Sequence, residues 1–368
     1  MLKDIYRGYI ANLEQKSQKV RLRKQWIYEW IGVLFGDTAK LINKTKFTKE
    51  QETEIQEYWK SVYGKKISLR WHKKYYAMSG MFDKKYFPEI LYTTRLEPLL
   101  NPDKTAKILQ DKNLIEYIFA KVLCENGDIV IPKTVCGCSA GYFFDSDRLP
   151  ISYEKMIEKL QNLNGKYILK ATVGTSSGRD VIVLDLPNEK LGTILSGFGN
   201  DYIIQEKIEQ YASYAKLHPQ SVNTIRVMSY RVEDQIKTTP CVIRIGIGGK
   251  HVDNGHAGGL YVRVTQDGKL SKFACRGNQG MLQQHPDSAI VFENYQLADL
   301  SKIVNAAKKL HACLPNIGIV NWDFAMNNES KPVLIEANML CGSMWLFQNA
   351  GGGVFGDDTE YMINRIRK

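Results

Sequence analysis

No apolar stretch in this 368-residue chain approaches the roughly twenty residues that a membrane-spanning helix needs. Its first residues, MLKDIYRGYI, lack the apolar core of a secretory signal, so the sequence predicts a cytosolic protein. Cysteine is sparse and unframed. Seven are scattered along the chain (Cys124, Cys136, Cys138, Cys241, Cys275, Cys313, Cys341), an odd number that suits reduced thiols better than a disulfide framework. Cys136-Gly-Cys138 is too tight and too solitary to be half of a zinc site. No Ser, His and Asp arrangement of a hydrolase emerges, and only Cys275, beside Arg276, has a basic context that would activate a thiol. No G-K-[ST] opens a helix, and no Rossmann glycine fingerprint is present. Internal repeats and low-complexity tracts are also missing.

What remains is a chain of 44% hydrophobic residues, long enough for two or three domains, with a formal charge of +11. That charge fits nucleic acid, an anionic membrane surface, or polyanionic substrates such as nucleotides and sugar phosphates, and does not choose among them. Much of it lies in the first 85 residues, in Lys19–Lys24 and in Lys65, Lys66, Arg70, Lys73, Lys74, Lys84 and Lys85, interleaved with Trp and Tyr. The run reads as a solvated helical face, with docking to a membrane or a glycan as the alternative.

Spacing of Ile, Leu, Trp and Tyr predicts helices from Met1 to about Tyr63, broken at Gly36-Asp37 and at Asn43–Thr48. Residues 64–102 are aromatic-rich and turn-broken. Helical periodicity returns over Lys104–Cys124, followed by a predicted strand at Ile129–Val135 with Pro132 near its edge. Strands at Tyr167–Ala171, Val181–Leu184 and Tyr202–Gln205, with helices at Ser152–Leu163 and Glu189–Ser196, make a small α+β lid. Beyond Asn223 the pattern is β-rich: Thr224–Val232, Thr238–Ile247, Gly259–Thr265 and two strands within Ile319–Asn338, with a helix at Leu297–His311. The expected domains are a helical, basic 1–85, an α/β region 86–150, a lid 151–209 and a larger C-terminal domain 210–368.

Several clusters carry candidate chemistry. In IVNWDFAMNNESKPVLIEAN (Ile319–Asn338), residues i and i+2 of a strand share a face, so Glu336 and Asn338 point together toward Asp323 across a hairpin. Three hard oxygen donors of that kind suit Mg²⁺. Apolar runs at Ile317–Val320 and Val333–Ile335 flank them, and buried carboxylates are costly without a cation. Lys170 closes an apolar strand ahead of Gly174-Thr-Ser-Ser-Gly178, where Gly174, Ser176, Ser177 and Gly178 would let backbone N–H groups approach a phosphate; a plain Gly/Ser turn is the alternative. Asp111 could cap a helix that begins at Asp111-Lys112-Asn113, leaving Lys112 free for a second phosphate oxygen. The extended segment Ile203–Ile208 could present its backbone to an adenine edge, with Gln205 or Glu206 on the exocyclic amine. Arg226, two residues after Thr224 and three after Asn223, and Arg244, among Val242, Ile243 and Ile245, each need an anionic partner: an acidic side chain, or a substrate phosphate or carboxylate. The turn Asp253-Asn254-Gly-His256-Ala-Gly258-Gly259 suits close approach by a ligand, with His256 as a base or as a cap of the turn.

Lys112, Lys170 with its Gly/Ser loop, IIQEKI, and Asp323 with E-A-N at Glu336–Asn338 occur in an order that resembles the ATP-grasp superfamily. DKN at 111–113, HPQSVNTIRV at 218–227, VIRIG at 242–246, HVDNGHAGGLYV at 251–262, NWDFAM and VLIEAN resemble more narrowly the sugar-transfer-associated ATP-grasp proteins of polysaccharide loci. The resemblance runs from about Pro88 to the end. It implies an ATP-grasp fold, in which a small α+β lid and a larger β-rich domain clasp ATP. Lys112 and Lys170 would hold the ATP phosphates, the backbone of Lys207 and Ile208 the adenine, and Asp323, Glu336 and Asn338 the Mg²⁺. Asn223, Asp253, Asn254, Gly258 and Gly259 would contact substrate. Relatives that ligate carboxylates to amines often carry an Arg two positions before the metal Asp; this chain has Asn321 there, which leaves Arg226, Arg244 or Arg276 to stabilise transition-state charge. The implied activity is an ADP-forming ligase joining a small carboxylate, such as an amino acid, to a sugar or sugar-nucleotide acceptor in capsule or surface-glycan assembly, at the inner face of the membrane or in the cytoplasm, with no nucleic acid involved. A kinase using the same ATP site and a non-catalytic polyanion-binding protein are the rival readings.

Overall fold

The computed structural model describes residues 2–125, 127–172, 181–249, 253, 258–277, 280–340 and 342–367, with side chains described from residue 16 onward. The chain forms two compact units, one of residues 1–101 and 340–368 and the other of residues 102–339.

The first unit is helical. Helices at Leu2–Phe35, Ala39–Lys44 and Lys49–Tyr63 are separated where Gly36-Asp37 and the 45–48 segment interrupt the periodicity. Thr48 caps the third reciprocally with Gln51, and Gly64 ends it in the left-handed conformation that glycine adopts at no steric cost. The aromatic stretch that reads as turn-broken holds a further helix at Arg70–Ser79, whose Trp71, His72, Tyr75 and Met78 are buried. Residues 86–101 continue this unit, and 340–368 return to it, unlike the boundaries expected from sequence. Long-range hydrogen bonds account for the return: buried Glu89 accepts from the Met344 N–H at 3.1 Å and buried Glu97 from the Gly342 N–H at 2.8 Å. The Gln348 amide spans the backbone of Phe87 through bonds of 2.7 and 2.9 Å. Burial, then the neighbouring Glu29, push the Glu89 carboxyl up to about 8.

The second unit contains two antiparallel sheets. Its strands are β1 (Thr134–Ser139), β2 (Tyr142–Asp145), β3 (Gly165–Ala171), β4 (Val181–Leu186), β5 (Tyr202–Glu206), β6 (Thr224–Val232), β7 (Gln235–Thr238), β8 (Cys241–Ile245), β9 (Leu260–Val264), β10 (Leu270–Arg276), β11 (Met281–Leu282), β12 (Ile319–Met326) and β13 (Pro332–Asn338). The smaller sheet has the order β2-β1-β5-β3-β4 and the larger β11-β10-β9-β8-β6-β12-β13, with β7 beside β6. The smaller sheet therefore draws in residues 134–145, which lie outside the expected 151–209 lid. Its core joins Met156 and Leu160 of the Tyr153–Gln161 helix to Cys136, Leu169, Leu184 and Ile204.

Two expected strands shift and one strand is unexpected, each for an identifiable reason. The one predicted at Ile129–Val135 starts at Thr134, because Val130 bonds instead to the larger sheet, donating to Pro332 O at 3.0 Å and accepting from Leu334 N at 2.8 Å. Thr238–Ile247 is interrupted at Thr239-Pro240, since proline has no N–H for a ladder. β10, LSKFACR, is absent from the sequence expectation because its polar residues hide the alternation. β12 is buried along its whole length, as the continuous apolar character around Asp323 implies.

Candidate functional site

Antiparallel register sets the centre of the site. Asp323 on β12 lies opposite Arg226 on β6 and opposite Glu336 on β13. Arg244 on β8 lies opposite Thr224, two residues from Arg226 on the same face, so it reaches Asp323 diagonally. Arg226 donates through Nε to Asp323 Oδ1 at 2.5 Å and through Nη2 to Oδ2 at 2.7 Å, while Arg244 Nη2 lies 3.2 Å from Oδ2. The Asp323 side chain is only 2% exposed. Burial alone would raise its carboxyl, but Arg226 and Arg244 outweigh burial and hold it below the ordinary range. Of the two partners the sequence allows for Arg226 and Arg244, the structure supplies acidic side chains.

The opposite face of these strands locks the register. Trp322 donates through Nε1 to Ser229 Oγ at 2.7 Å, Ser229 Oγ contacts His311 Nδ1 at 2.6 Å, and His311 Nε2 meets Ile317 O at 2.9 Å. Burial drives the His311 imidazole down to about 4, so it stays neutral in this chain of bonds.

Two lysines complete the constellation from other elements. Lys112 Nζ lies 2.9 Å from Glu336 Oε1. Asp111 does not cap a helix: its Oδ1 accepts from the Asn113 N–H at 2.9 Å in a tight turn, and the next helix starts at Ile115. That turn is pinned to the end of β3, where Lys112 N donates to Thr172 O at 3.4 Å and Asn113 Nδ2 to Thr172 Oγ1 at 3.2 Å. Lys170, on β3, is buried. Burial first, and Lys112 second, push its ammonium down to about 7 against the pull of Glu336. Asn113 lies within the DKN motif, whereas Thr172 has no sequence signal beyond following the K-A of β3.

A narrow cleft between the sheets is lined by Lys112, Arg148, Lys170, Gln205, Pro132 and Ile335. Gln205 is spoken for, donating to Pro132 O at 3.0 Å. Glu206 is exposed and pairs with Lys133 at 3.0 Å. Lys207 and Ile208 line a separate cavity of about 490 Å³ with Lys166, Tyr167 and Gln210, whose lining includes neither Lys112 nor Lys170.

Other expected residues fall elsewhere. Asn338 shares the Glu336 face, and its Nδ2 donates to Asn321 O at 3.4 Å. Asn223 has no free amide atom: Nδ2 donates to Tyr214 O and His218 O, and Oδ1 accepts from Ser221 Oγ and Gly246 N. It anchors the approach to β6 rather than facing a ligand, and Asn223→Ala should cost about 3 kcal/mol in a urea titration by orphaning these groups. Asp253 is likewise buried, accepting from Thr224 N at 3.0 Å and from the Thr224 hydroxyl, with Arg244 Nε 3.7 Å away. It steadies Arg244 within the strand. Arg276 ends β10, two strands from β8, and does not join the Asp323 cluster. Cys275 is buried, which pushes its thiol up to about 12 and removes it as a nucleophile. Gly258 (φ +89°) and Gly259 lead into β9. Gly174, Ser176, Ser177, Gly178, Asn254 and His256 lie outside the described residues.

A model of the family described as sugar-transfer associated ATP-grasp matches residues 91–360. The chain belongs to that family. Its two-sheet unit is thus an ATP-grasp fold, with a helical N-terminal region added. No curated protein matches the chain. Among solved structures it is similar to the D-Ala:D-Ser ligase VanG from Enterococcus faecalis (13% identity, 70% of this chain and 60% of that one, TM-score 0.40). It is also similar to the biotin carboxylase domain of 2-oxoglutarate carboxylase from Hydrogenobacter thermophilus (12% identity, 73% and 47%, TM-score 0.43). A third is carboxyaminoimidazole ribonucleotide synthase from Aspergillus clavatus, complexed with ATP (13% identity, 66% and 48%, TM-score 0.39). The chain spans between 47% and 60% of the length of these three. At TM-scores this low, none of them bears on what this ATP-grasp chain binds.

Proposed function

We propose that the 102–339 unit is an ATP- and Mg²⁺-dependent, ADP-forming ligase. The observation that supports this most is the juxtaposition of a buried, easily deprotonated Lys170, the Lys112–Glu336 pair, and the Arg226–Asp323–Arg244 cluster in one unit of an ATP-grasp chain. Lys170 and Lys112 would bind phosphate oxygens, and a phosphate entering between them would supply the anion that the buried Lys170 lacks. Arg226 and Arg244 would stabilise charge on the transferring phosphoryl group. The donor set fits Mg²⁺. Asp323, Glu336 and Asn338 offer oxygens, Asp323 and Glu336 are paired in register, and each carboxylate has more lone pairs than its Arg or Lys partners use. Bound there, Mg²⁺ would neutralise charge on the nucleotide phosphates.

In the reaction a substrate carboxylate oxygen attacks the γ-phosphorus and ADP leaves, giving an acyl phosphate. An amine or hydroxyl then attacks the acyl carbon and inorganic phosphate departs with the bonding pair. No protein nucleophile is needed, which agrees with a site built from Lys, Arg and oxygen ligands and with Cys241 and Cys275 being buried with raised thiol pKa. The family description, sugar-transfer associated, favours a sugar as the acceptor, and surface-polysaccharide assembly is the setting we propose for it.

The test incubates the protein with Mg-ATP and pools of amino acids, organic acids and sugar nucleotides, with ADP and inorganic phosphate measured separately. Equal, pool-dependent amounts of both are expected. ADP matched by a phosphorylated sugar, without free phosphate, would replace the ligase with a kinase.

A further inference from the structure

Among its described side chains, residues 16–35, the Leu2–Phe35 helix packs along one side. Trp30 packs edge-on against Trp71 with ring centroids 5.0 Å apart, Val33 is buried, and Glu29 accepts from Thr93 Oγ1 at 3.2 Å. Another side carries Val20, Ile27, Tyr28, Ile31 and Phe35, at offsets of 7, 8, 11 and 15 residues from Val20, which a helix brings onto a single face. All five are exposed: 54%, 43%, 71%, 52% and 80%. A ridge of five exposed large apolar side chains on one helix face marks a place where something docks.

Charge identifies the occupant. Lys24 sits in the ridge itself, between Val20 and Tyr28, and Lys16, Lys19 and Arg23 are exposed nearby. From Gln15 to Tyr28 the chain has no acidic residue. A second copy laid in parallel along this seam would set Lys24 against Lys24 with no carboxylate in the segment to offset it. An anionic bilayer surface, in contrast, takes the apolar ridge at the headgroup boundary and supplies the negative charge, while the Lys stem lies along the apolar surface with its ammonium in the headgroups. We infer that the exposed face of the Leu2–Phe35 helix docks this protein peripherally onto an anionic lipid bilayer. This goes beyond the ligase reading and does not depend on it.

Co-sedimentation of the full chain with vesicles tests the inference. At about 0.1 M salt, the protein is expected to pellet with vesicles of equal parts phosphatidylglycerol and phosphatidylcholine, and to stay in solution with phosphatidylcholine alone. Ile27→Glu/Ile31→Glu, at exposed positions where Glu suits a helix, should weaken binding by at least about tenfold with unchanged circular dichroism and melting temperature. Lys19→Gln/Arg23→Gln/Lys24→Gln should lose about fivefold per cation removed. Wild-type protein that stays soluble with anionic vesicles, or Glu-substituted protein that pellets like wild type, would overturn the proposal. So would a lipid-free dimer that the Glu substitutions dissolve, since a second copy would then be the occupant.

Discussion

Asp323→Ala is expected to lower the unfolding free energy of the 102–339 unit by about 3 kcal/mol, because it strands two partly buried guanidinium groups in the larger sheet. The side chain removed accepts both Nε and Nη2 of Arg226 and lies 3.2 Å from Arg244. Breaking such a cluster costs more than the cluster contributes, since the partners left behind keep their desolvation penalty and lose their counter-charge. Replacing the cluster together with the buried Asp253 beside Arg244, as Asp323→Ala/Arg226→Met/Arg244→Met/Asp253→Asn, should therefore recover much of the loss in urea titrations while turnover stays absent. A single Asp323→Ala variant that unfolds at the wild-type urea midpoint would show that Asp323, Arg226 and Arg244 do not act as a paired, largely desolvated unit. Inactivity of Asp323→Ala alone would consequently be weak evidence about metal binding, and Glu336→Gln, at a more exposed position (26% side-chain exposure against 2%), is the better probe of that role.

Lys170→Met should act in the opposite direction on stability. The folded protein holds the Lys170 ammonium down at about 7, by burial and then by Lys112, whereas an unfolded lysine titrates near 10.5. Stability linked to this group is thus full above pH 10.5 and is lost as pH falls through about 7. At neutral pH the native state carries a buried cation at a cost, and Lys170→Met, similar in length and uncharged, is expected to raise unfolding free energy by about 1–3 kcal/mol at pH 6.5. Between pH 7 and pH 10 the wild type should gain stability relative to the variant. The same substitution should abolish nucleotide binding. For wild type, binding above pH 7 should take up a proton as phosphate restores the ammonium, so affinity should fall by up to about tenfold per pH unit there. A Lys170→Met protein that is both less stable and still nucleotide-binding would assign Lys170 to structure instead.

Much of this unit is legible in the sequence because its strands are locally consistent. Thr224–Val232 matches β6 at both ends, and IVNWDFAM reads as a buried strand since apolar residues surround Asp323 on both faces. Glu336 opposite Asp323 follows from a hairpin with the spacing of E-A-N. What is not legible is pairing at a distance. Nothing in a lone Asn-Thr-Ile-Arg shows that Arg226 and Arg244 converge on Asp323, ninety-seven residues on from Arg226, or that Asn223 spends every amide atom on the backbone and on Ser221. Carboxylates that look in need of a metal turn out to have Arg and Lys partners, because a one-dimensional reading sees burial but not which strand lies alongside. The first unit hides its closure for the same reason: Glu89 and Glu97 reach main-chain donors some 250 residues later.

Titration calorimetry of Mg-ATP into the full chain at pH 6.5 tests most directly whether the Lys112, Lys170, Asp323 and Glu336 constellation is a magnesium-nucleotide site. Saturable binding of one nucleotide per chain is expected, weakened when Mg²⁺ is withheld or in Glu336→Gln, and abolished in Lys170→Met while that variant melts at or above the wild-type temperature. No heat with the wild type, or an unchanged isotherm in the folded Lys170→Met protein, would contradict it.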